Sequence, residues 1–184
     1  VIINHTYGDT RMTSKLKTDI LETVSGSGTI ALTNQLSGMT SASVPAGSVI
    51  QVVSATNTNT ANGGFLLQTT SSGWVSVPLA VSITPSSTSS KIMILVNTTT
   101  YRAATGYLTL YRDSTNVAGG NGLANPTGSS SSRFEPVSFS HLDSPNTTSS
   151  VQYTLYAASS SSGTLYVGGD GNLINSITVM EIKG

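Results

Sequence analysis

A chain of 184 residues without a cysteine is long enough for one well-cored domain plus a short appendage, but it has no disulfide staples or thiolate metal sites. Only 9% of its residues are charged, with eight bases balancing eight acids, against roughly 25% charge in ordinary soluble domains. No basic stripe is present to draw nucleic acid or anionic lipid, and no apolar run is long enough to span a bilayer. Ser, Thr, Asn and Gly fill the place of the charges, a composition common in extracellular and virion β-proteins.

In chain order, residues 1–44 stand apart from the rest. Leu16, Ile20 and Val24 recur at the spacing of a short helix capped by Thr13 or Ser14. Leu16, Thr18, Ile20, Glu22 and Val24 equally alternate as a strand would, so both readings stand. A flexible break at 25–28 precedes a short strand at 29–32. No charge occurs anywhere from residue 23 to residue 90. So long a neutral run predicts either close subunit contacts or a surface kept uncharged.

From Pro45 onward the pattern is β. Residues 48–55 are rich in Val and Ile, 57–64 form a polar turn, and 65–70 return as a strand. Val75, Val77, Leu79, Val81 and Ile83 alternate with small or polar residues, one face dry and one wet, and Pro78 places this strand at an edge or a bulge. A turn at 85–90 leads into the continuous apolar run 92–96, for which covered faces on both sides are expected. Residues 107–112 form a strand, and 114–132 are predicted to be a long variable loop. Strands follow at 134–140, 151–158, 164–167 and 174–182. With no amphipathic helix after residue 40, the expected class is all-β. The expected architecture is an antiparallel β-sandwich of jelly-roll type over 45–184, behind an N-terminal anchoring and oligomerisation segment, 1–44.

Chemistry is hard to find in this chain. His141 has Ser140 and Asp143 beside it, but neighbours on a strand point to opposite faces, so the cluster is no evidence for a nucleophile–base–acid triad. The acids of the β region (Asp113, Glu135, Asp143, Asp170 and Glu181) offer no singled-out pair for glycoside hydrolysis. Residues 168–172 (Gly-Gly-Asp-Gly-Asn) resemble an oxygen-ligand loop for calcium but lack its other carboxylates, and they read as a tight hairpin turn. The glycine run at 119–122 opens into loop, not a helix, and so is no phosphate cradle. No catalytic, cofactor-binding or metal-ligating residue is therefore expected, and the chain reads as non-enzymatic. Trp74, Tyr107 and Phe134 are candidates for surface recognition, with Tyr101, Arg102, Tyr111, Arg112 and Arg133 the favoured set. Their aromatic faces and forked donors suit a glycan.

Several segments carry a resemblance. Val-Ile-Gln-Val-Val at 49–53, Ser-Ile-Thr-Pro-Ser-Ser-Thr-Ser-Ser-Lys-Ile at 82–92, Tyr-Arg-Asp-Ser at 111–114 and Ile-Thr-Val-Met-Glu-Ile at 177–182 resemble a module recurrent in tailed phages of marine and cyanobacterial hosts. Over about three-quarters of its length the chain is similar to virion structural and tail-fibre-like proteins. The stretch from Met12 also resembles how such proteins begin, which makes Met12 a plausible start in relatives and leaves 1–11 as an extension or a fragment boundary. The resemblance implies a virion location on tail or capsid surface and a short N-terminus contacting other virion proteins. It also implies a β-rich, commonly trimeric head, whose multivalent display would suit contacts with a glycan on the host surface. Capsid decoration, with the same fold and no receptor, is the competing expectation.

Overall fold

The computed structural model describes residues 44–58, 61–102, 105–126, 134–160, 163–169 and 171–184. Residues 1–43 lie outside this set, and with them the predicted N-terminal segment except Val44, both readings of 14–24, and the strand at 29–32.

Among the described residues ten strands form: β1 (Val49–Asn57), β2 (Leu67–Thr69), β3 (Val75–Ile83), β4 (Lys91–Arg102), β5 (Gly106–Arg112), β6 (Thr115–Asn116), β7 (Phe134–Asp143), β8 (Val151–Ser159), β9 (Leu165–Val167) and β10 (Asn175–Ile182). They make an all-β sandwich of two antiparallel sheets. The first contains β1, β10, β4, β9 and β2 in that order, with β7 on the free side of β4; the second runs β3-β8-β5-β6.

β4 organises the first sheet. Its residues 91–97 pair with β10 and its residues 100–102 pair with β9, both along the same flank. β9 and β10 are thus two parts of one line, and their outer partners β2 and β1 are likewise two parts of another. The expectation of a hairpin at 168–172 is corrected here: β9 and β10 do not pair with each other, and the chain leaves the line at Gly168 and rejoins it at Asn175. The Asn175 side chain makes the break affordable. Its Nδ2 donates to the carbonyls of Asn57 and Leu173, and its Oδ1 accepts from Thr98 Oγ1, so backbone groups released from the ladder are still bonded. With each interrupted line counted once, the described strands occupy eight lanes, ordered 1-8-3-6 in one sheet and 2-7-4-5 in the other.

The period-two pattern explains the core. Val77, Leu79, Val81 and Ile83 of β3 share one buried core with Ile92, Ile94 and Val96 of β4, and Leu108, Leu110, Tyr153, Leu155, Ile177 and Val179 complete it. Pro78 fits its strand because β3 is an edge and because its register with β8 shifts between Ser76 and Ala80. The expectation for 92–96 is corrected: Ile92, Ile94 and Val96 are buried, whereas Met93 and Leu95 lie half-buried on the outward face. The first part of the predicted loop 114–132 is structured, and 127–132 lie outside the described residues. β6 hairpins onto β5, Leu123 and Ala124 donate to the Leu108 carbonyl, and Leu108 donates to that of Ala124, so 115–126 fold back onto the sheet.

Candidate functional site

Three of the segments singled out in the sequence meet at one carboxylate. The alternation Ile177, Val179, Glu181 turns Glu181 inward with its apolar neighbours, and it is fully buried. Its Oε1 accepts from the Ser86 backbone N–H (2.7 Å), Ser86 Oγ (2.7 Å) and Ser90 Oγ (2.6 Å); its Oε2 accepts from Gln51 Nε2 (2.6 Å). Burial pushes the Glu181 carboxyl up, but the bonds from Ser90, Gln51 and Ser86 outweigh it and hold the group below its ordinary value. The carboxylate ties β1 and β10 to the turn at 85–90 and is closed off from solvent. Its part is structural.

A second polar knot joins the sheets. Arg112 Nη1 and Tyr153 Oη both reach Asp143 Oδ2, at 2.6 and 2.7 Å. Burial, and then the hydrogen bond to Asp143 and its charge, push the Tyr153 phenol well above its ordinary value, so it stays a neutral donor. Arg112, in the favoured recognition set, is thus engaged between the sheets. His141 faces inward on β7 and Ser140 outward, so the two do not form a nucleophile–base pair. Asp113 closes the β5–β6 turn by accepting from the Gln152 N–H. No group of three His, Cys, Asp or Glu residues able to hold a metal occurs among the described residues.

The outward face of the first sheet has a different character. Its rows can be read from the strand register. At one end Val52, Met180, Met93 and Leu142 align across β1, β10, β4 and β7, an aliphatic and thioether row in which Val52 is 56% and Leu142 45% exposed. Next come Ser54, Thr178, Leu95 and Ser140, then Thr56, Ser176, Asn97 and Ser138. Hydroxyls and amides satisfy one another in this belt: Ser54 bonds Thr178, and Ser138 donates to Asn97 Oδ1. Beyond Thr99 and Pro136, the last row places Phe134, Tyr101 and Tyr166 side by side on β7, β4 and β9.

These three rings and Phe65 form one cluster. Phe65 lies 4.8 Å from Tyr166, 5.8 Å from Tyr101 and 6.1 Å from Phe134, nearly parallel to the last; Tyr101 lies 5.0 Å from Phe134 and 5.5 Å from Tyr166. Phe134 is 45% exposed and the others are half-buried. Tyr101 therefore sits in this cluster. Tyr111 stacks on Tyr156, with centroids 4.0 Å apart, on the outward face of the other sheet, so the two favoured tyrosines do not converge. The Arg102 side chain and Arg133 lie outside the described residues. Sequence reasoning did not single out Phe65 or Tyr166. Their signal was alternation: Tyr166 stands between inward Leu165 and Val167, which sends its ring out. No protein-family model and no curated protein matches this chain.

Proposed function

We propose that this chain is a non-enzymatic virion structural protein, a trimeric tail-fibre or host-attachment module that presents one end of its sandwich to a cell-surface glycan. The observation that carries this reading is the outward face of the first sheet, which grades from aliphatic through hydroxyl and amide to aromatic. The lane orders 1-8-3-6 and 2-7-4-5 support reading the sandwich as a jelly roll, an architecture that recurs in viral capsid and lectin domains. The aliphatic end suits copies of the same chain. Self-association brings identical groups together, and a row without charge avoids the like-charge repulsion that a charged one would suffer. Multivalent display then raises weak sugar contacts to usable avidity. Segment 1–44 is assigned to contacts with other virion proteins on the resemblance alone.

Gold-labelled antibody against the protein should decorate intact particles at the tail or capsid surface, and light scattering of the purified chain should give the mass of three copies. Absence from particles would defeat the virion role, and a one-chain mass would remove the trimer. Capsid decoration is the second reading. It is favoured by the folding of 115–126 onto β5, which shortens what a loop could present. Excess purified protein should block particle adsorption to host cells in the attachment reading and leave it unchanged in the decoration reading.

A further inference from the structure

We infer that the Phe65–Tyr101–Phe134–Tyr166 cluster is a stacking platform for a neutral sugar. The inference rests on the proposed attachment role only in taking the ligand to come from a cell surface. Of the favoured arginines, Arg112 is no part of this site, because it is committed to Asp143.

The chemistry follows from what lies on that face. An aromatic ring carries negative charge on its face and positive charge at its edge. The C–H face of a pyranose is weakly positive and apolar, so it lies flat against such rings while its hydroxyls point sideways to polar neighbours. Here Phe134, Tyr101 and Tyr166 occupy adjacent lanes in one row, so their centroids span about the width of one or two sugar rings. The next rows supply neutral partners, Thr99, then Asn97 and Ser138. Because Ser138 donates to Asn97 Oδ1, the Asn97 amide N–H groups remain available as donors. Among the described residues, no acid or base of β4, β7 or β9 stands on these outward rows between Lys91 and Tyr101. Lys91 lies ten residues along β4 from Tyr101, about 33 Å at strand spacing.

This neutrality sorts the alternatives. An anionic sugar or a nucleic acid strand needs fixed cations in addition to stacking. A protein partner would find a continuous apolar row, with two methionines and no hydroxyl, at the opposite end of the sheet.

The test uses the purified full chain and a defined set of neutral and sialylated oligosaccharides, measured by titration calorimetry and by ring-proton chemical shifts. Neutral sugars should bind, with shifts confined to Phe65, Tyr101, Phe134 and Tyr166. Phe134→Ala and Tyr166→Ala should each weaken binding at least tenfold, Tyr166→Phe less than threefold, and Tyr111→Ala on the other sheet not at all. Affinity should hold within about twofold from 50 to 500 mM salt, since no ion pair is broken. Binding of only the sialylated sugars, a steep loss with salt, ring shifts elsewhere, or no binding to any sugar would each overturn the platform. The ring shifts are read on the unaltered protein, so they decide the matter even where a variant fails to fold. The two readings also separate. If the variants block adsorption as well as the parent does, the platform fails and the attachment role stands. If sugars bind at the rings but the protein is absent from particles, the platform stands and the virion role fails.

Discussion

Glu181 is a charge sealed inside an apolar layer, tolerated because four donors from Gln51, Ser86 and Ser90 face its two oxygens. Glu181→Gln keeps the shape but turns an acceptor into a donor aimed at donors, and it should cost about 2–3 kcal/mol in urea unfolding. The pH dependence has a definite sign. The folded carboxyl holds its proton less tightly than the unfolded chain, whose ordinary value is 4.5. Its stabilisation is therefore complete above about pH 4.5–5 and drains away as pH falls through the lowered folded value. Melting temperature measured downward from pH 6 should drop in the parent, and that part of the slope should vanish in Glu181→Gln. Tyr153→Phe removes one of two donors from Asp143 Oδ2 and should cost about 1–2 kcal/mol, with little effect on sugar binding at the far face.

Among the elements, the fold-back at 115–126 makes the sharpest demand on sequence. Gly122 has a φ of +83°, and a Cβ there would stand 2.5 Å from the Leu108 carbonyl oxygen and 2.9 Å from the Trp74 ring. Gly119, at φ +61°, has open space around it. Gly119→Ala should thus cost only the backbone term, about 1 kcal/mol, while Gly122→Ala should cost about 3 kcal/mol and loosen Trp74, visible as a fluorescence shift. Strands with strict alternation, β3 and β10 above all, could be read from the sequence because burial on one face writes a period of two. Pro78 likewise announced its edge. What stayed hidden depends on partners distant in sequence. Nothing local says that Asn175 will bond Asn57 and Thr98, or that the lanes will break where it does so. Of the aromatic cluster, Tyr101 and Phe134 were recognisable as candidates, but the row became visible only with the register that sets them beside Tyr166.

At the scale of the whole molecule, the 9% charge is distributed with a purpose that composition alone could not show. The ionised groups with resolved partners bind strands together, as Glu181 and Asp143 do, while the outward rows of the first sheet from Met93 to Tyr101 of β4 are neutral. Assembly through that face should consequently persist in high salt. Met180→Lys, aimed from the middle of the aliphatic row, should convert a three-chain mass to one chain while the circular dichroism of the sandwich is kept; an unchanged mass would place the contact elsewhere. The broken lanes carry one more consequence. The chain departs from both lines at the same height, where Gly171 donates to the Gly64 carbonyl, and β4 holds the strands on either side in register independently. The sheet therefore has a seam at which foreign sequence can be spliced without renumbering any pairing. An epitope inserted between Gly171 and Asn172 should shift the melting temperature by only a few degrees, whereas the same insertion within β10 should abolish folding. A lineage carrying this fold could acquire a new appendage at that seam while the sandwich beneath it stayed the same.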